Sequence, residues 1–171
     1  MNKYLSSLDN DIERWLSLIF YMMIAMTIIS EVIRRFVFSY SSIWGEEVAR
    51  YCFIYMAWIG ASLGVKNRAH IRIDIILNFL PNRGQCVVYL FADFLTLILA
   101  VIAIYFSMGS VLTSIEFGSV THGLRIGQYW FLMAIPIGFT LIVIRLLQSI
   151  TRDFRDLRSG TKPFSGHSLI D

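Results

Sequence analysis

Two carboxylates and a guanidinium, Glu46, Glu47 and Arg50, stand within five residues of one another at the head of a long apolar stretch. Beside hydrocarbon each charge costs several kcal/mol unless it is paired or reaches water, so this trio needs partners. If the run Ser42-Ile43-Trp44-Gly45-Glu46-Glu47-Val48-Ala49-Arg50-Tyr51 opens a helix, Glu46 and Arg50 form an i,i+4 pair in the favourable acid-first order. Glu47, at i,i+3 from the same Arg50, can share it, and both acids sit at the positive end of the helix dipole. Two readings stay open: a self-neutralising helix start, and a docking surface for a second membrane protein.

The remaining reactive groups are sparse. Asp93 is the one charge in a long apolar run, and it is either an ion or proton relay or a structural acid bonded to a neighbouring helix or to a snorkelling base such as Lys66. His70, His122 and His167 fall in connectors or the tail, which leaves a four-helix haem anchor without intramembrane axial ligands. Cys52 and Cys86 belong near opposite ends of different spans and read as packing residues rather than a disulfide. Glu31 and Arg35 form a second i,i+4 pair. In the loop after the third span, His122 and Arg125 are either a solvated turn or a contact for a soluble partner. No metal, nucleotide or nucleophile motif is present.

These groups must be positioned by membrane helices. Of 171 residues, 56% are hydrophobic and only 16% charged, and mean hydropathy is +0.63. Soluble domains carry about 25% charged residues. The net charge of +3 does not indicate nucleic acid, because the bases lie in short segments between apolar runs. Four spans are expected, at about 14–36, 44–65, 85–112 and 128–150, since each run reaches the roughly 20 residues that a bilayer requires. A polar lead-in with Leu5, Leu8 and Ile12 at helical spacing runs into the first span, which is too long for a cleavable signal peptide. Asp74 to Leu80 reads as a short in-plane amphipathic helix stopped by Pro81. Gly60 and Gly64 form a small-xxx-small pattern, and Pro136 is expected to kink the fourth span. The fold class is an all-α membrane protein, a domain over 1–158 with a tail over 159–171. Eleven of fifteen bases fall on the side of the termini, with Arg34, Arg35, Arg50 and Arg125 opposite, so both termini are expected in the cytoplasm and the Trp44–Tyr51 run at the outer face.

The Ser42–Tyr51 run, Gly60-Ala61, His70-Ile71-Arg72-Ile73-Asp74 with Leu80-Pro81, and Trp130 with Ala134-Ile135-Pro136-Ile137-Gly138 together resemble the small membrane subunit of tripartite ATP-independent periplasmic (TRAP) transporters. The resemblance covers all four spans, and its most specific part is the Trp/Glu-Glu/Ala-Arg-Tyr run. It departs in the loop after Leu112 and at Cys52, where the family usually carries a larger aliphatic residue. The resemblance implies a non-catalytic subunit of a sodium-coupled uptake system for an organic acid, such as a C4-dicarboxylate or sialic acid, in the bacterial inner membrane. The implied partners are a large membrane subunit, a soluble periplasmic substrate-binding protein and membrane lipid. This chain would hold no cofactor, the sodium ions residing in the large partner. Trp44, Glu46, Glu47 and Arg50 are the implied subunit-contact candidates; Asp93 joins them as a candidate on its place in the third span, and His122 and Arg125, on theirs in the outer loop, are the candidates for contact with the binding protein. The competing function is an autonomous homo-oligomeric transporter that couples ions through Asp93.

Overall fold

A computed structural model describes residues 3–40, 42–66 and 81–159. Four helices follow one another: α1 (Lys3–Val37), α2 (Ile43–Lys66), α3 (Asn82–Glu116) and α4 (Tyr129–Ser159). Each contains an apolar stretch long enough to cross a membrane. The lead-in and first span form one continuous helix, and α3 runs four residues past the expected end at Leu112. The expected in-plane helix at 74–80 and most of the tail lie outside the described residues.

The packing order differs from the chain order. α1 packs on α2, α2 on α4 and α4 on α3. α2 and α4 therefore carry the core, in which Val65, Ala100, Ile142 and Leu146 are buried against Trp58, Leu97 and Phe139. Trp58 and Phe139 lie with ring centroids 4.7 Å apart. Gly138 makes room for this contact, since a Cβ there would come 2.6 Å from that of Trp58. Pro136 is buried within an uninterrupted α4, and the Thr140 hydroxyl donates to its carbonyl at 2.6 Å. Both cysteines are buried and neither is joined in a disulfide, as expected.

The large apolar residues of α1 and α3 face outward. Leu18, Ile19, Met22, Met26 and Ile29 on α1 and Phe91, Leu95, Leu99 and Tyr105 on α3 are exposed. In water this would be untenable, but a lipid tail is as good a solvent for them as another helix. The covered side of α1 recurs at 13, 17, 20, 24, 27, 31 and 34, alternating steps of four and three. That mean period of 3.5 is the seam of a left-handed helix pair.

Candidate functional site

Polar side chains gather at the two ends of the bundle. At the end bearing the α1–α2 turn, Ser42 stands directly before α2, where the first backbone N–H groups lack intrahelical partners. Its N–H and its hydroxyl both donate to Glu31, at 2.7 Å each. A carboxylate from the neighbouring helix thus supplies the negative charge that a helix N-terminus favours. Gly45 makes this approach possible, because a Cβ there would lie 2.5 Å from Glu31 Oε2. Arg34 completes the group: its Nη1 donates to Ser42 Oγ at 3.2 Å, lies 3.9 Å from Glu31, and its guanidinium sits 4.6 Å from the centre of the Trp44 ring. The expected Glu31–Arg35 pair is therefore corrected. Glu31 turns to the start of α2, where the orphan donors are, and its charge partner is Arg34 at i,i+3.

The three charges of the opening motif divide their work. Glu46 and Arg50 form the expected pair at 3.1 Å, both side chains exposed. Glu47 does not share Arg50. Its Oε2 accepts the Leu124 N–H at 2.6 Å, fastening the α3–α4 loop to the N-terminal part of α2. Gly123 permits the contact, as a Cβ there would meet Glu47 Oε2 at 2.9 Å and the Ile43 carbonyl at 3.0 Å. The loop is itself ordered: Thr121 N–H donates to Ile126 O at 2.9 Å and Gln128 N–H to Ser119 O at 2.8 Å. Arg125 holds a left-handed φ of 53° at its tip. His122 and Arg125 both point to the exterior, with His122 at the rim of a cavity of about 160 Å³ lined also by Glu47, Arg50, Tyr51 and Thr121. Below it Tyr51 packs edge-on to Phe131, and the Tyr55 hydroxyl donates to Trp130 O at 2.7 Å. The structure thus brings Trp44, Glu46, Glu47, Arg50, His122 and Arg125 to one end.

Asp93 is not with them. It is buried on α3 with Gln85, Cys86 and Tyr89 on one helical face, and 23 residues, about 35 Å of helix, separate it from Glu116 at the loop-bearing end. Among the described residues no three His, Cys, Asp or Glu side chains converge as a metal site.

The opposite end holds a cluster that residue spacing did not single out. Glu13 of α1 is only 5% exposed. Its Oε1 accepts from Arg145 Nε at 2.8 Å and from Ser62 Oγ at 3.2 Å, and its Oε2 lies 3.8 Å from Lys66 Nζ. Arg145, itself buried, also donates to Gln148 at 2.8 Å. One acid on α1 therefore ties together α1, α2 and α4. The available signal was a distance: Glu13 and Glu31 are 18 residues apart, five full turns, so both fall on one face about 27 Å apart. That is close to the roughly 30 Å of bilayer hydrocarbon, which puts one acid at each interface of the same helix face.

What this arrangement can do chemically is hold helices and a loop in place. The family described as tripartite ATP-independent periplasmic transporters, DctQ component, matches residues 15–156. The chain is 30% identical over 115 residues to the isethionate TRAP transporter permease protein DctMQ of Oleidesulfovibrio alaskensis, covering 67% of this chain and 18% of that one. It is 27% identical over 150 residues to the sialic acid TRAP transporter permease protein SiaT of Haemophilus influenzae, covering 88% of this chain and 24% of that one. With the sialic acid TRAP transporter small permease protein SiaQ of Vibrio cholerae it shares 25% identity over 178 residues, covering 99% of this chain and 95% of that one. The chain thus spans less than a quarter of the first two relatives and nearly all of the third. It belongs to the DctQ family, the small membrane subunits of TRAP transporters, and is a multi-pass protein of the bacterial inner membrane.

Proposed function

We propose that the chain is the non-catalytic bracing subunit of a sodium-coupled TRAP uptake system for an organic acid. TRAP small subunits partner with large permease subunits, and the relatives' names include carriers of isethionate, sialic acid and C4-dicarboxylates. The observation that carries the reading is that the family's charged motif is used internally: Glu46 binds Arg50, and Glu47 binds the loop at Leu124. Ion-coupled carriers build their sites from broken helices at mid-membrane, whereas the four helices here are continuous. Sodium and substrate would then be handled by the large partner. The loop end would face the periplasm, with His122 and Arg125 presented to the soluble binding protein. Trp44 would sit among lipid headgroups at the same interface, where an indole is well accommodated.

The competing reading, a homo-oligomeric transporter that couples ions through Asp93, has the burial of that acid in its favour. Proteoliposomes containing this chain alone, the large permease alone, or both, supplied with binding protein, labelled organic acid and a sodium gradient, separate the two. The bracing role expects uptake only with both subunits, and retained uptake for Asp93→Asn. Flux with this chain alone, abolished by Asp93→Asn, overturns it.

A further inference from the structure

α2 is flanked by α1 and α4, and its exposed surface is reduced to one narrow stripe. Glu46, Arg50, Phe53, Ala57 and Gly60 are its outward residues after Trp44, and half-buried Gly64 continues the line. Their spacing alternates four and three, so the stripe follows the whole span as the seam of a helix pair does. Its composition is the opposite of the other outward faces. Where α1 and α3 present Met, Ile, Leu and Phe to the outside, the inner half of this stripe is Ala57, Gly60 and Gly64.

A glycine inside a helix costs about 1 kcal/mol relative to alanine, and contact with fluid lipid tails returns nothing for it. Small residues in a membrane helix do return something when a second helix lies along them, since they let the backbones come close. Among the described residues no helix uses that space: a Cβ added at Gly60 would meet nothing within 4 Å. Beside the outer half of the stripe a cavity of about 340 Å³ opens between α1 and α2, lined by Ile28, Val32, Arg35, Gly45, Glu46 and Ala49. Glu46, which is exposed and paired with Arg50, borders it. Apolar side chains of an incoming helix could seat in this groove while its backbone runs over Ala57 and Gly60. The relatives DctMQ and SiaT are permeases in which the counterpart of this chain is 18% and 24% of a longer protein, so the four-helix unit there adjoins further permease chain.

We infer that the Glu46–Arg50–Phe53–Ala57–Gly60–Gly64 stripe, with the adjoining α1–α2 groove, receives a transmembrane helix of the large permease subunit. The inference rests on the subunit reading above and adds the face through which it is realised. It also gives the Glu46–Arg50 pair a role as the polar rim of that interface.

The test uses the assembled complex, with the large permease carrying an affinity tag. A photo-crosslinking benzoylphenylalanine at Ala57 should join this chain to the tagged permease, and the same probe at Leu99 on the outer face of α3 should not. Gly60→Leu should lower the permease recovered with this chain about tenfold while the isolated chain melts as before, because the added side chain enters empty space. Equal permease adducts from Leu99, adducts from Ala57 only with lipid or with a second copy of this chain, or unchanged recovery for Gly60→Leu would overturn the assignment of the face. Failure of the unmodified chain to recover any large permease would overturn the subunit reading as well.

Discussion

Replacing Arg145 by methionine keeps much of its buried volume and removes the charge that answers Glu13. What remains around that carboxylate is the Ser62 hydroxyl at 3.2 Å and Lys66 at 3.8 Å, the latter beyond hydrogen-bond distance. Removing one partner of a buried ion pair costs about 3–5 kcal/mol, because the other charge stays in a low-dielectric site. Lys66 compensates part of this, so the lower end, about 3 kcal/mol, is expected. At roughly 2–4 °C per kcal/mol for a chain of this size, the midpoint of thermal unfolding in detergent should fall by about 6–12 °C. Glu13→Gln should fall similarly, since it strands Arg145. Ser62→Ala removes only one hydrogen bond to a charged group and should cost about 1.5–3 kcal/mol at most. The double variant Glu13→Gln/Arg145→Met should lose less than the two singles summed, by a coupling of about 2 kcal/mol, within the range for residues in contact. Tryptophan fluorescence of purified single and double variants measures all four values. Midpoints for both single variants within a degree or two of the parent, or strict additivity, would refute the claim that this pair fixes α1.

Three further substitutions test the division of labour at the loop end and the α2–α4 packing. Glu47→Ala leaves the Leu124 N–H without its acceptor, at a cost of about 1–3 kcal/mol, and should speed limited proteolysis between residues 119 and 127. Glu46→Ala breaks only an exposed pair worth under about 1 kcal/mol and should leave that proteolysis rate unchanged. Gly138→Ala drives a Cβ to 2.6 Å from Trp58 and should cost about 1–3 kcal/mol by overpacking, read as a lowered thermal midpoint.

Much of this architecture was legible because a bilayer imposes length and charge constraints on a sequence. The charge-free run from Trp15 to Ser30 and the apolar stretches after Tyr51, Gln85 and Gln128 have one reading in such a solvent. The Glu46–Arg50 pair was legible for a similar reason, as its partners lie one turn apart. Glu47 was not, because Arg50 is a plausible partner at three residues whereas its actual donor, Leu124, lies 77 residues away. Glu31 was misread in the same direction: local spacing offered Arg35, while the α1–α2 turn brought the unsatisfied N–H of Ser42 to within 2.7 Å. Short-range pairing rules describe isolated helices, and a carboxylate near a helix end chooses among all donors the fold delivers to it.

The same reasoning explains why the polar residues of α1, few as they are, decide where it sits. Between Glu13 and Glu31 its outward face is Met, Ile, Leu and Tyr, and these gain as little from leaving lipid for a helix as they lose by staying. Along its inner face Phe20 stacks on Tyr55 at 6.0 Å, a contact that a neighbouring register could replace. The two carboxylates cannot be satisfied so freely. Five turns apart on one face, they require Ser42 at one interface and Ser62 with Arg145 at the other. Sliding α1 by one turn would move both acids about 5.4 Å from their donors at once. The register of α1 against α2 is therefore set at its ends, and the groove between the two helices inherits its shape from those two contacts.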